Sequence, residues 1–182
     1  MAEERAMRAD ARRNRDAIVA AARAAFDSGD QLRFDDFASR AGVGVGTLYR
    51  HFPTREALAA AVYQDEVLAL CERARGSTQP AEKALEAFLR GFVEYVVAHA
   101  ALARTLAALV GPRVQADGGS ELERTVSELM DRAAADGAIR DGASSGAVMV
   151  VLHGIGSTVD RPLWASESRA AIELLIEGIT SR

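Results

Sequence analysis

An all-α fold is what this sequence predicts, and three observations predict it. Apolar residues recur at intervals of three and four along most of the chain, no stretch alternates with period two, and glycine or proline punctuates the apolar runs at helix-length spacing. About nine helices follow, with short ones gathered near the N-terminus and longer ones behind them.

Ile18, Ala22 and Phe26 recur every four residues with Val19 and Ala25 beside them, and Gly29 follows, so residues 13–28 read as an amphipathic helix. A short helix runs from about Asp35 to Ala41 and stops at Gly42. Another fits between Gly44 and Phe52, because Pro53 cannot continue a helix and drives the residue before it out of the α region. Thr54 caps a fourth, which begins REALAAAVY. Leu85, Phe88, Leu89, Phe92 and Val96 mark the next helix, and Leu102, Leu106 and Leu109 carry the period on to a stop at Gly111-Pro112. Ser120 and Glu123 form a capping box ahead of Leu122, Val126, Leu129, Met130 and Ala133, a helix ended by Gly137. Val148, Val151, Leu152 and Ile155 define one more helix, and Ile172, Leu175, Ile176 and Ile179 the last. The change of helix length and of charge places a boundary after residue 56, giving an N-terminal module of residues 1–56 and a helical body of residues 57–182.

Hydrophobic residues make up 49% of the chain and charged residues 26%, a balance that folds. No apolar run reaches the roughly 18 residues that cross a bilayer, and MAEERAMRADARRNR holds no apolar stretch for a signal peptide, so a cytoplasmic protein is expected. Cys71 is the sole cysteine, which excludes an internal disulfide and suits a small core residue. A net charge of −4 argues against coating nucleic acid through bulk charge. Its distribution is uneven: residues 1–56 carry +1, and Arg5, Arg8, Arg12, Arg13 and Arg15 face only Asp10 within residues 5–15. That cationic end reads either as a solvated arm or as one that follows an anionic polymer.

The densest chemistry lies in AGVGVGTLYRHFPTREAL, residues 41–58. Turning by about 100° per residue, a helix from Gly44 to Phe52 puts Val45, Leu48 and Phe52 on one side and Gly46, Thr47, Tyr49 and Arg50 around the other. The first set suits a core. The second presents a hydroxyl, a phenol and a guanidinium beside glycines that let another surface come close. A short helix, a tight Gly42-Val43 turn and a short polar-faced helix make a helix-turn-helix, whose second helix enters a DNA major groove. Plain packing of Tyr49, His51 and Phe52 around a tight turn accounts for the same spacing, so both readings stand on geometry alone. A phosphate-loop enzyme does not: no Lys-Ser/Thr follows the glycines and no strand precedes them.

The same run, with FDDFASR before it and ARRNRDAIVAAARAAF further upstream, strongly resembles the DNA-binding domain of TetR-family transcriptional regulators. The resemblance covers residues 12 to about 62, and LYRHFPTREAL is its specific part. Residues 60–182 resemble the family's effector-binding and dimerisation domain in helix number and length only. The resemblance implies that residues 44–51 are the recognition helix, with Gly44, Val45 and Gly46 at the groove-entering end and Thr47, Tyr49 and His51 on backbone or bases; Arg50 shares that face. Arg55 stands where the family usually has a phosphate-binding lysine, and Arg33 where it usually has a capping Ser or Thr. Arginine cannot accept the orphan amides, so Arg33 either weakens the cap or gains a DNA contact. Arg8, Arg12 and Arg13 either follow the minor groove or stay in solvent.

A dimeric operator-binding regulator, by family default a repressor released by a small molecule, is therefore the expected function. The resemblance assigns the dimer interface to the last two helices, where Val148, Val151, Leu152, Ile155, Ile172, Leu175, Ile176 and Ile179 supply apolar faces. Phe88, Phe92, Tyr95, His99, Met130, Met149, His153 and Trp164 are candidate effector contacts, which implies an apolar ligand with one or two hydrogen-bonding groups. Each of the eight also reads as ordinary core or surface. His51, His99 and His153 have no metal-ligand spacing, and no triad or carboxylate pair stands out, so neither an enzyme nor a cofactor is expected. The alternative function is a helical ligand-binding or protein-interaction molecule with a vestigial DNA module.

Overall fold

The computed structural model describes residues 2–28, 32–100, 102–104 and 115–181. Its helices are α1 (Ala2–Ser28), α2 (Asp36–Ala41), α3 (Val45–His51), α4 (Arg55–Arg75), α5 (Ala81–Ala98), α6 (Gln115–Ala135), α7 (Ser145–Ser157) and α8 (Trp164–Ile179), and residues 102–104 are also helical. Among the described residues there is no strand, only an isolated bridge between Ile139 and Thr180. The fold is all-α. Leu106, Leu109, Gly29 and the Gly111-Pro112 stop lie outside the described residues. Contacts divide the chain into two compact units, Met1–Tyr63 and Gln64–Arg182, the division falling inside α4.

In the first unit α1 packs on α2 and α3, burying Ile18, Val19, Ala22 and Ala25 against Phe37, Ala38 and Leu48. The turn between α2 and α3 is set by Gly42 at φ 68°, a conformation that favours glycine, while its neighbour Val43 donates to the Ala38 carbonyl at 3.0 Å. Thr54 Oγ1 accepts from the Ala57 amide at 3.1 Å and so caps α4. The cationic N-terminus is helical, because α1 begins at Ala2. Alanine, arginine and glutamate are strong helix formers, and the Arg13–Asp10 pair at i,i+3 supports the turn they build.

The second unit packs α5 against α6 and α8, with α7 against both α6 and α8. Leu85, Leu89 and Phe92 meet Leu122, Val126, Leu129, Val148, Leu152, Ile172 and Ile176 in its core. Two bidentate ion pairs tie α5 to α8: Arg90 to Glu173 at 2.8 Å twice, and Arg169 to Glu94 at 2.6 and 2.8 Å. These guanidinium contacts hold both carboxyls below the usual carboxylate range. Gly137, at φ 73°, ends α6 with its own amide on Ala134 and the Ala138 amide on Ala133, both at 2.9 Å. Ser144 caps α7 by accepting from the Ala147 amide at 3.1 Å. Cys71 is buried, which pushes its thiol up.

Two expectations fail here. α6 starts at Gln115, so Ser120 is an interior residue and not a cap. Five further residues of helix add a backbone hydrogen bond each, which outweighs a cap worth about 1 kcal/mol and the similar cost of each interior glycine. The face expected to join two copies also points the wrong way. Val148, Leu152, Ile155, Ile172, Ile176 and Ile179 are buried in the chain's own core, and Val151 and Leu175 are half-buried. Apolar periodicity locates the side of a helix that its own chain covers, and these residues are that side.

Candidate nucleic-acid interface

α3 is seven residues long, and its geometry follows from its ends. Gly44, extended at φ −72° and ψ 147°, starts it with no side-chain cap, and Phe52 leaves it in an extended conformation ahead of Pro53. Leu48 is fully buried and Phe52 nearly so, which anchors one side of the helix. Val45 does not join them: it is 44% exposed. As the first helical residue its Cβ tilts back past the helix start, beyond the reach of the core. Gly46, Tyr49 and Arg50 are also exposed, while Thr47 and His51 are half-buried. The exposed side of α3 therefore carries Val45, Gly46, Tyr49 and Arg50.

The two glycines are informative because nothing in the protein requires them. A Cβ built on Gly44 or on Gly46 meets no atom within 4 Å. Neither has a positive φ. Glycine inside a helix costs about 1 kcal/mol relative to alanine, so Gly46 is unfavourable for the isolated chain. The open space above Gly46 leaves the helix backbone accessible there.

Tyr49 is held in place. Its ring meets Phe34 edge-on at 5.2 Å and 84°, and its hydroxyl donates to Asp35 Oδ1 at 2.9 Å. That hydrogen bond raises the phenol pKa. With its proton given to Asp35, the phenol offers lone pairs outward, which suits a donor such as a base amino group better than a phosphate.

Arg33 is exposed, and its place at the head of α2 retains half of a capping box. The missing half is the side-chain acceptor. The half that remains is the Arg33 amide donating to Asp36 Oδ2 at 2.9 Å, while the Asp36, Phe37 and Ala38 amides reach back three residues to carbonyls. Arg55, the expected phosphate ligand, braces the module from within. Its guanidinium lies 5.7 Å from the Phe26 ring and 5.4 Å from the Phe37 ring and donates to the Leu32 carbonyl. The planar fork finds more partners in this aromatic corner than a lysine would. Sequence reasoning missed Asp35, whose part depends on a contact 14 positions along the chain.

The candidate effector residues divide between buried and half-buried positions. Phe88, Phe92, Met130, Met149 and Trp164 are buried, and the Trp164 indole donates to the Ile155 carbonyl at 2.7 Å. His153 is half-buried on α7. Tyr95 and His99 stack at 4.5 Å, and His99 Nδ1 lies 2.8 Å from the Tyr95 carbonyl, which fixes the proton on that nitrogen. A surface cleft of about 160 Å³ lies between α4 and α5, with Leu70, Arg73, Ala74, Ala84 and Phe88 in its wall, so it shares only Phe88 with the expected set. Among the described residues no three His, Cys, Asp or Glu side chains cluster as a metal site, and no helix is long and apolar enough to cross a membrane.

Residues 18–62 match the family of bacterial regulatory proteins named for tetR, and residues 79–181 match the C-terminal domain of SbtR-like transcriptional regulators. Among solved structures, a TetR transcriptional regulator from Streptomyces coelicolor is 37% identical, with 91% of this chain and 98% of that one covered at a TM-score of 0.65. A TetR regulatory protein from Mycobacterium vanbaalenii is 28% identical over 96% of this chain and 99% of its own, at 0.66. A ketosteroid transcriptional regulator of Mycobacterium tuberculosis shares the fold at 19% identity, covering 92% and 95%, at 0.54. No curated protein matches.

Proposed function

This chain belongs to the TetR family of transcriptional regulators, non-enzymatic proteins that bind DNA, and from that premise we propose that it is a repressor. As a homodimer it binds a palindromic operator, each α3 in a major groove with half-sites about one helical turn apart. It works in the cytoplasm, and residues 1–56 serve DNA while residues 57–182 serve dimerisation and sensing. The observation that carries the reading is the exposed side of α3, where glycines with open space above them sit among Val45, Tyr49 and Arg50, with half-buried Thr47 and His51 beside them. Arg33 adds a cation at the same module's surface.

The dimer forms through the outer faces of α7 and α8. Val150 is 72% exposed with Gly146 and Gly154 one turn before and after it, and Leu174 is 69% exposed with Ala170 and Gly178 in the same relation. A large apolar knob flanked by small residues fits the matching face of a second copy. The effector is a small, mostly apolar molecule, and Tyr95 or His99 supplies its polar contact. It releases the operator to the extent that it prefers a dimer whose recognition helices no longer match the groove spacing.

Selection of a randomised duplex library by the purified protein, at fixed near-physiological salt, tests the reading. Recovery of an inverted repeat with half-sites near one helical turn supports it. Recovery of no enriched sequence favours a vestigial DNA module and a function in the helical body. With an inducer in hand, Tyr95→Phe and His99→Ala together weaken its binding; unchanged affinity sinks the contact assignment.

A further inference from the structure

We propose that the N-terminal half of α1 is a helical clamp on DNA phosphates, gripping the duplex that flanks the groove occupied by α3. The proposal rests on the DNA-binding reading above and extends it to a second surface. It begins from periodicity within a continuous helix, Ala2–Ser28. At 100° per residue, Arg5, Arg8, Arg12 and Arg15 fall within an arc of about 80° and form a stripe roughly 15 Å long. That length matches about four base pairs of duplex. Asp10 lies on the opposite side of the helix, where it pairs with Arg13.

The stripe is placed by its last member. Arg15 holds its guanidinium 5.8 Å from the ring of Phe52, the residue that ends α3, so the stripe runs outward from beside the recognition helix. Residues 5–13 are exposed, which leaves Arg5, Arg8 and Arg12 on the surface. Arginines at spacings of three and four place their cationic ends along one side of the helix, where a polyanion can meet several of them at once.

A helix also decides how the contact is made. With side chains it is about 10–12 Å wide, whereas the minor groove is about 6 Å wide, so this segment cannot enter the groove as an extended arm would. Contacts go to phosphate oxygens, which arginine forks match, and carry no base information. A membrane surface fits poorly, because Met7 is the only large apolar side chain among residues 5–15.

The test replaces Arg5, Arg8 and Arg12 with glutamine, a good helix former, and keeps Arg15 on Phe52. Affinity is measured against salt on two duplexes, the selected operator with a full helical turn beyond each half-site and the same operator trimmed to the half-sites. On the long duplex the slope of log K against log salt falls by about 0.9 for each lost contact, close to 3 per protomer, with the selected sequence unchanged. On the trimmed duplex parent and variant give the same slope. Equal slopes on the long duplex overturn the clamp, as does a loss of sequence selection, and circular dichroism showing an unfolded variant is answered by the single Arg8→Gln, whose slope falls by about 0.9. Failure of the groove reading looks different. The parent then selects no sequence, yet the triple variant still loses salt-sensitive binding to a random duplex if the clamp is right.

Discussion

On α3 most of the residues proposed for function face outward, whereas on α7 and α8 most of the apolar residues that the pattern offered for dimerisation face inward. The contrast has one physical cause. Along α3 the informative residues are polar, aromatic or absent side chains, and their chemistry marks them wherever the helix turns. Along α7 and α8 the informative residues are apolar, and an apolar period reports the side covered by the same chain. The exposed large apolar residues of these two helices, Val150 and Leu174, lie out of phase with that period.

The largest effect sharpens this contrast on α8 alone. Ile176→Ala empties a buried site and is expected to cost about 2–5 kcal/mol of stability by denaturant unfolding. The neighbouring Leu174→Glu, paired with Val150→Glu, buries no charge in the monomer because both positions are exposed. Sedimentation of that double variant should show a folded monomer at concentrations where the parent is a dimer. A dimeric double variant would move the interface elsewhere.

Most of the first unit was legible because its signals are local. Gly42 and Pro53 bracket α3, and Thr54 caps α4 through its own side chain. The misread positions are those where a local preference met a competing one. Val45 has the spacing of a core residue but stands at the helix start, and Ser120 has the chemistry of a cap but sits in a longer helix. In the second unit the core was legible from period, while the ion pairs of Arg90 and Arg169 with α5 and α8 partners span about 75 positions or more and leave no local mark.

On the outward side of the comparison, Tyr49→Ala should cost about 1–3 kcal/mol of operator affinity while leaving fold and dimer intact. Parental affinity would remove Tyr49 from the interface. Gly46→Ala is smaller and opposite in its two readouts. Open space around the added methyl means that stability rises by about 1 kcal/mol, and loss of close approach means that operator affinity falls. A variant that gains stability and keeps its affinity would show that nothing approaches α3 closely there.

The smallest effect concerns Asp35, which sits at the proposed DNA surface although its charge repels phosphate. Its carboxylate accepts the Tyr49 hydroxyl, and that bond raises the phenol pKa above its ordinary value. A raised folded-state pKa means that the contribution is complete below the unfolded phenol pKa and is lost as pH climbs through the folded one. Near neutrality the bond is therefore intact, and the phenol presents lone pairs to whatever docks. Asp35→Asn removes the charge and most of the attraction for the proton. The Tyr49 phenol should then titrate at lower pH, read as the difference in ultraviolet absorbance between variant and parent. Operator binding separates two roles for the pair. If Asp35 only orients the ring, the variant binds more tightly at every sequence because a repulsive charge has gone. If the oriented lone pairs read a base, tightening is accompanied by relaxed preference at one operator position, and selection on the variant library shows which.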